Sequence, residues 1–207
     1  MVRLLLTSTG FANPNIEKRF VSVLGKDPAK VRVLFIPTAA YGSDCDQTVL
    51  GFVGASMKQL VDCGIRPENF VIFDAGNPPK KKQLGDIDVV YVCGGNTFYL
   101  LQKIRETKFD RIIRKLVKNG ALYVGVSAGS ILPGPNINVA VPFDANGDLK
   151  DNNTTGLKLT KTVVSPHFQR KEKELIEELE RKNNFKVTAI TDAQAVLEID
   201  GKTSIVE

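Results

Sequence analysis

Short apolar runs rich in β-branched residues alternate with longer amphipathic stretches along most of this chain. The apolar runs cover residues 2–6, 31–37, 70–73, 89–93, 121–126, 162–165, 187–190 and 195–199. Helix-like segments cover residues 16–24, 47–61, 97–106, 111–118 and 170–182. Strands that are apolar throughout need cover on both faces, which helical crossovers between parallel strands provide. The alternation therefore predicts an α/β fold with a mostly parallel central sheet.

Three segments carry more detailed expectations. In residues 47–61, one buried helix face is predicted from apolar or small residues at i, i+3, i+4 and i+7 spacing: Val49, Phe52, Val53, Ser56, Met57, Leu60 and Val61. Residues 132–156 carry three prolines and several glycines and asparagines, which predicts a long irregular segment, and such segments in compact domains are usually functional or disordered. The last two apolar runs are expected to form an edge hairpin, with Asp200 and Gly201 as a further turn signal close to the end.

Length and hydropathy limit the number of domains and the class of protein that this sequence can form. The 207 residues have room for one well-packed domain, so we expect a single domain over 1–207. Mean hydropathy is −0.07, and no window approaches the ~18 apolar residues that a membrane span needs. The amino end carries too short an apolar run for a signal peptide. We therefore expect a cytoplasmic protein without membrane contact, as a monomer or a homodimer.

Cysteine, histidine and charge exclude several functions. Cys45, Cys63 and Cys93 have neither the number nor the spacing of a disulfide framework or a zinc site. A single histidine, His167, excludes a histidine-rich metal centre and any mechanism that needs two imidazoles. The net charge of +5 is mild, and no aromatic residues are interleaved with the basic clusters, so we expect no nucleic-acid partner.

The sharpest motif is the stretch Gly-Val-Ser-Ala-Gly at residues 125–129, directly after an apolar run. It matches the G-x-S-x-G nucleophile elbow, in which a tight strand-to-helix turn exposes a serine in strained geometry. Small residues are needed on both sides of the serine because the chain doubles back there. The motif predicts that Ser127 is a nucleophile and that the Ala128 N–H can donate to an oxyanion. The alternative is a plain turn with a buried serine.

A serine nucleophile needs a base, and the one available imidazole is that of His167. It follows the apolar run 162–165, so it is expected at a strand end, where the ligand sites of α/β proteins lie. The alternative interpretation is a structural histidine. A second glycine motif, Cys-Gly-Gly-Asn-Thr-Phe at 93–98, also stands at a strand end and opens a helix that Asn96 or Thr97 can cap.

Together these motifs resemble the dipeptidase E and cyanophycinase family of serine peptidases. The resemblance rests on residues 93–98, on Gly-Val-Ser-Ala-Gly-Ser at 125–130 and on Pro-His-Phe at 166–168, and it extends from about residue 36 to residue 192. It implies a class I glutamine-amidotransferase-like fold, a three-layer flavodoxin-like sandwich in which serine replaces the usual cysteine.

The resemblance also implies roles for individual residues. Ser127 becomes the nucleophile, His167 the base, and the amides of Gly95 and Ala128 the oxyanion donors. The acid that orients the imidazole matches Asp192, in Ile-Thr-Asp at 190–192, where family members often carry glutamate. Asp144, on the irregular segment, is the rival position for this acid.

The implied activity is hydrolysis of small peptides through an acyl-enzyme, with an aspartyl residue on the acyl side and no metal or organic cofactor. Arg170 is the candidate for binding the substrate carboxylate, because a guanidinium pairs with it bidentately. Asn96 is a second candidate for substrate contact. Two alternatives stay open: a generic α/β-hydrolase esterase, whose acid normally precedes its histidine, and a non-catalytic homologue that binds a small ligand.

Overall fold

Seven strands form one central sheet in the computed structural model, which describes residues 1–42, 47–73, 78–145 and 149–207, without the side chains of Val49 and Lys81. The described residues contain nine strands in all, of which β6 and β7 form a separate small sheet: β1 Arg3–Thr7, β2 Val33–Ile36, β3 Phe70–Ile72, β4 Val89–Val92, β5 Leu122–Val126, β6 Val163–Ser165, β7 Val187–Ala189, β8 Ala195–Ile199 and β9 Lys202–Val206. The sheet order is β3-β2-β4-β5-β1-β8-β9, in which β1 to β5 are parallel to one another, β8 is antiparallel to β1, and β9 is antiparallel to β8. The predicted α/β fold with a mostly parallel sheet is therefore confirmed.

Helices cover both faces of this sheet. They are α1 Pro14–Leu24, α2 Gln47–Asp62, α3 Lys81–Leu84, α4 Thr97–Glu106, α5 Phe109–Lys118, α6 Ala128–Ile131 and α7 Lys173–Asn183. Side chains of β1 alternate between two apolar cores: Leu5 packs with α1 and α2, whereas Leu4 and Leu6 pack on the face covered by α4 and α5. This alternation follows from the two-residue period of a strand, and it explains why the strands are apolar throughout.

The buried face of α2 is narrower than the spacing predicted. Leu60 and Ser56 are buried and Val53 and Met57 pack against the core, but Phe52 is 67% exposed. Val61 is also exposed, and the side chain of Val49 lies outside the described residues. One stripe of the helix suffices to cover β2 and β4, so the expectation that Phe52 and Val61 belong to it was wrong.

The carboxyl-terminal strands pair differently from the prediction. The edge hairpin consists of β8 and β9, joined by Asp200 and Gly201, which both have positive φ. β7 lies instead in a separate two-stranded sheet, parallel to β6. The predicted hairpin between the runs 187–190 and 195–199 was therefore wrong, because β9 had too few apolar residues to be recognised as a strand.

The irregular segment lies over the carboxyl edge of the sheet. Of its described residues, 138–140 form a 3-10 turn, and Asn136 and Thr155 form an isolated antiparallel bridge. Among the helices in the described ranges, none has both the length and the apolar content that a bilayer span requires.

Candidate active site

The carboxyl ends of β1, β4 and β5 meet at one edge of the sheet because these strands are parallel and adjacent. The residues that follow them therefore come together: Ser8 after β1, the glycine motif after β4 and Ser127 after β5. Both motifs singled out from the sequence thus lie at the same place. Strand ends of this kind are where open α/β sheets bind their ligands.

Ser127 stands in a strained turn between β5 and α6. Its backbone has φ 50° and ψ −113°, a conformation that side-chain-bearing residues rarely adopt. The turn is anchored to β1 twice. The Ser127 N–H donates to the Thr7 carbonyl at 2.9 Å, and the Ser130 hydroxyl donates to the same carbonyl at 2.7 Å. The surrounding structure therefore holds the serine in its strained geometry.

The two glycines of the elbow are required by close backbone approach. A Cβ at Gly125 would lie 2.3 Å from the Gly129 carbonyl oxygen, and a Cβ at Gly129 would lie 2.2 Å from the Val92 carbonyl oxygen. Neither neighbour is a flexible side chain that could move aside. The expected reason for small residues around the serine therefore holds in the structure.

His167 faces the serine across the carboxyl edge. Its Nε2 is 3.0 Å from Ser127 Oγ, within hydrogen-bond distance. The residue follows β6 with a positive φ of 60°, and its N–H donates to the Ser8 hydroxyl at 3.0 Å. The Ser8 hydroxyl is in turn within 3.1 Å of the Thr191 carbonyl. This backbone arrangement fixes the direction from which the imidazole approaches.

Asp192 lies on the other side of the imidazole, with its Oδ1 2.6 Å from His167 Nδ1. It follows β7, whose parallel pairing with β6 brings the two residues to one end of the small sheet. The Thr9 hydroxyl donates to the Asp192 carbonyl at 2.9 Å and helps to hold the segment. The side chains of His167 and Asp192 are 46% and 66% exposed, so solvent and small molecules can reach the pair.

The rival aspartate is placed elsewhere. Asp144 Oδ2 accepts the Thr97 N–H at 2.8 Å, at the amino end of α4, where a carboxylate is favoured by the helix dipole. Of the two candidate acids, Asp192 is therefore the one that the structure brings to the imidazole.

Asn96 caps the same helix. Its side-chain oxygen accepts the Tyr99 N–H and its amide nitrogen donates to the Ala145 carbonyl, both at 2.8 Å. The residue is only 1% exposed. This placement differs from the expectation that Asn96 contacts substrate, because its side-chain oxygen caps α4 and its amide nitrogen holds Ala145 of the irregular segment.

The glycine motif after β4 lies directly against the serine. A Cβ at Gly94 would be 3.0 Å from Ser127 Cβ and 3.7 Å from Ser127 Oγ. A Cβ at Gly95 would overlap the Ala39 carbonyl at 2.3 Å, and φ at this glycine is 132°. The turn thus needs glycine to pass between the serine and the segment after β2.

A cavity of about 160 Å³ opens beside Ser127 and His167. Its apolar lining residues are Ile131, Val139, Ala140 and Phe143. The polar lining includes Thr97, Asp144, Gln169 and Glu172. Arg170 is exposed and does not belong to the lining, so the structure does not bring this candidate for carboxylate binding to the cavity.

Sequence reasoning did not identify several of these neighbours. The positioning hydroxyls of Ser8 and Ser130 could have been found, because the residues after β1 and within the elbow had to share one sheet edge. Glu172 and the apolar lining residues carry no motif, and only the tertiary structure places them around the cavity beside Ser127. Among the described residues, no group of three or more histidine, cysteine, aspartate or glutamate side chains could hold a metal ion.

Comparison with known proteins agrees with this geometry. The family model of peptidase family S51 matches residues 4–206. A curated relative from Listeria monocytogenes, the uncharacterised peptidase Lmo0363, is 33% identical over 137 residues, which are 66% of this chain and 65% of that protein. Peptidase E of Streptomyces coelicolor is 32% identical over 65% of this chain and 51% of its own length. The matches thus span less than two thirds of these relatives.

Solved structures show the same fold. A 1.5 Å crystal structure from Listeria monocytogenes EGD-e, named as a peptidase E protein, superposes with a TM-score of 0.81 at 25% identity, covering 99% of this chain and 98% of that one. A peptidase from an acI-B1 actinobacterium superposes with a TM-score of 0.64 at 20% identity, covering 100% and 87%. Because the family model extends over nearly the whole sequence, the chain belongs to peptidase family S51.

Proposed function

We propose that this chain hydrolyses small peptides through an acyl-enzyme on Ser127. The observation that carries the proposal is the hydrogen-bonded chain from Ser127 Oγ to His167 Nε2 and from His167 Nδ1 to Asp192 Oδ1. A nucleophile, a base and an orienting acid in this order are the parts that acyl transfer to serine needs. Membership of a peptidase family supports a peptide as the substrate.

In the proposed mechanism, Ser127 Oγ attacks the scissile carbonyl carbon while Nε2 of His167 takes its proton. Asp192 holds the proton on Nδ1 and stabilises the imidazolium that forms. The tetrahedral intermediate then breaks its C–N bond, and the imidazolium gives the proton to the departing amine. A water molecule, deprotonated by the same imidazole, hydrolyses the ester and restores the serine hydroxyl.

The charge on the tetrahedral oxygen needs donors near Ser127. We assign this role to two backbone amides. One is that of Gly95, in the turn that the glycine motif forms after β4 (the glycine turn), and the other is that of Ala128, the first residue of α6. The contact of the glycine turn with Ser127 supports this assignment, because a Cβ at Gly94 would lie 3.0 Å from Ser127 Cβ. Backbone donors fixed before the reaction stabilise an oxyanion at no cost of reorganisation.

The resemblance implies dipeptides with an amino-terminal aspartyl residue, bound through Arg170. This specificity rests on the family alone, because Arg170 is exposed and lies outside the cavity lining. It is tested by comparing Asp-X with the nearly isosteric Asn-X dipeptides, since the two differ by the charge.

The position of the acid bears on the esterase alternative. In α/β-hydrolases the acid precedes the histidine in the chain. Here the carboxylate on the imidazole is that of Asp192, which follows His167. This order favours the peptidase over a generic esterase.

A fluorophosphonate probe tests the proposal against the non-catalytic alternative. We expect stoichiometric labelling of the full chain, with the adduct mapped to Ser127 by peptide mass spectrometry. Ser127→Ala should not be labelled, and its rate of peptide hydrolysis should fall at least about a thousandfold. Ser204→Ala, at an exposed position on β9, is the matched control and should keep both. Peptide hydrolysis by Ser127→Ala at the parent rate would overturn the mechanism.

A further inference from the structure

The segment that carries His167 contains a bulge. The Ile190 N–H donates to the Ser165 carbonyl at 2.9 Å, and the Ile190 carbonyl accepts the Phe168 N–H at 3.0 Å. A regular parallel ladder would pair this carbonyl with the N–H of His167 instead, so the chain holds one extra residue between these two bonds. The φ of His167, 60°, belongs to the same irregularity. The bulge re-aims the imidazole and takes the His167 N–H out of the ladder.

The hydroxyl of Ser8 takes the N–H that the bulge leaves out. It accepts the His167 N–H at 3.0 Å and has the Thr191 carbonyl within 3.1 Å. One buried hydroxyl therefore holds both segments that follow the strands of the small sheet. A backbone N–H without a partner inside the protein costs free energy, so the Ser8 hydroxyl stabilises the bulged conformation.

Ser8 also links the base to the nucleophile through the chain itself. The preceding residue, Thr7, accepts the Ser127 N–H with its carbonyl at 2.9 Å. Two consecutive buried residues at the end of β1 thus hold the turn of the nucleophile and the backbone of the base. The side chains of His167 and Asp192 are exposed to about half their surface or more, so packing does little to fix them. The 3.0 Å contact between Nε2 and Ser127 Oγ therefore depends on how the backbone of the imidazole is anchored.

We propose that Ser8 is a positioning residue, whose hydroxyl fixes the bulge at His167 and thereby sets the distance from Nε2 to Ser127 Oγ. The hydrogen bonds of this hydroxyl go to backbone groups, so Ser8 acts through the imidazole and not on the substrate. A catalytic group displaced by about 1 Å loses about a hundredfold in rate, whereas binding of the substrate is not affected. The role rests on the proposed function and adds to it a residue outside the chain of nucleophile, base and acid.

Ser8→Ala in the full chain removes the hydroxyl and keeps the Cβ. Both kcat on the best dipeptide and the second-order rate of fluorophosphonate labelling should fall about ten- to a hundredfold, with KM within about threefold of the parent value. Parent-like rates in the folded variant would overturn the proposal, and so would a loss that lies in KM alone. If Ser8→Ala does not fold, Ser8→Cys, whose thiol is a weaker hydrogen-bonding group, should lower both rates at least about threefold and is judged in the same way.

Thr160→Val is the matched control for a lost buried hydroxyl. The Thr160 hydroxyl also accepts a backbone N–H, that of Thr162 at 2.9 Å, and it donates to Glu198 Oε2 at 2.6 Å. It is buried and lies outside the cavity lining beside Ser127. Thermal unfolding should show destabilisation of this variant as of Ser8→Ala, but its kcat and labelling rate should stay within about twofold of the parent values. Equal losses of rate in both variants would indicate general destabilisation and overturn the proposal.

His167→Ala separates positioning of the imidazole from support of the fold. Once the imidazole is gone, Ser8→Ala should change the slow residual labelling by less than about twofold. An equal fold-loss with and without the imidazole would show that Ser8 supports the serine or the fold, and would overturn the positioning role. Labelling of Ser127 in the parent leaves the proposed function standing in that case. Absence of both labelling and peptide hydrolysis in the parent overturns the proposed function, and the role of Ser8 with it.

Discussion

The carboxylate of Asp192 lies 2.6 Å from Nδ1 of His167, although 25 residues separate the two in the chain. Parallel pairing of β6 with β7 brings them together, since each residue follows the carboxyl end of one of these strands. The Phe168 N–H donates to the Ile190 carbonyl at 3.0 Å and continues the alignment beyond the strands. The orientation of the imidazole thus depends on a small sheet outside the central one.

Asp192→Asn should lower kcat/KM by about 10²- to 10⁴-fold, because an amide favours the wrong tautomer of the imidazole and does not stabilise the imidazolium. Steady-state kinetics on the best dipeptide measure the loss. Asp62→Asn, at an exposed position at the end of α2, is the control and should keep the parent rate. A parent-like rate for Asp192→Asn would remove this residue from the mechanism.

Ser127→Gly should stabilise the protein by about 1 kcal/mol, because glycine adopts the φ of 50° without strain. Ser127→Ala keeps the Cβ, so its free energy of unfolding should stay within about 0.5 kcal/mol of the parent value. Urea denaturation of the three proteins measures the difference. Equal midpoints for the glycine and alanine variants would show that the turn stores no such strain.

Alanine at two glycines of the site should separate stability from activity. In Gly129→Ala the new Cβ meets the Val92 carbonyl oxygen at 2.2 Å, so the protein should lose about 1–3 kcal/mol of stability. In Gly94→Ala the contact is with Ser127 Cβ at 3.0 Å, and we expect a rate loss of about ten- to a hundredfold in a folded protein.

Gly54→Ala is the control for both, because the space beside this α2 residue is open. It should keep the parent rate and gain up to about 1 kcal/mol of helix stability. Denaturation curves and kcat/KM are measured on all three variants. A Gly94→Ala enzyme with the parent rate would argue against close contact between the glycine turn and the nucleophile.

The two described cysteines should resist alkylation in the native protein. Burial, with a smaller contribution from the charges of Glu17 and Asp62, raises the pKa of Cys63 to about 12, and burial raises the pKa of Cys93 as well. At pH 8, which lies well below the pKa of both thiols, almost none of either cysteine is a thiolate, the form that reacts.

Iodoacetamide at pH 8 should therefore leave Cys63 and Cys93 unmodified by peptide mass spectrometry, and it should modify both in urea. Cys45 lies outside the described residues, and its product is read separately in the same spectrum. Rapid native modification of Cys93 with loss of hydrolysis would favour a thiol mechanism over Ser127.

Local sequence was sufficient to predict the elements that have strong patterns. The apolar runs predicted β1 to β5, and the glycine spacing around Ser127 predicted a strand-to-helix turn whose close contacts the structure shows. Patterns failed where tertiary contacts decided burial. Phe52 has the spacing of a core residue but is exposed, and β9 is a strand because it completes a hairpin with β8 rather than because its residues are apolar.

The sequence by itself determined the α/β class, the elbow at Ser127 and the one available imidazole, because each follows from residue type and local spacing. Tertiary structure decided which aspartate meets His167, since Asp144 and Asp192 are equivalent as residues and differ only in the strands and helices beside them. It also decided the character of the cavity. Asp144 and Glu172 are far apart in the chain, and only the tertiary structure places both residues in the lining of the cavity beside Ser127.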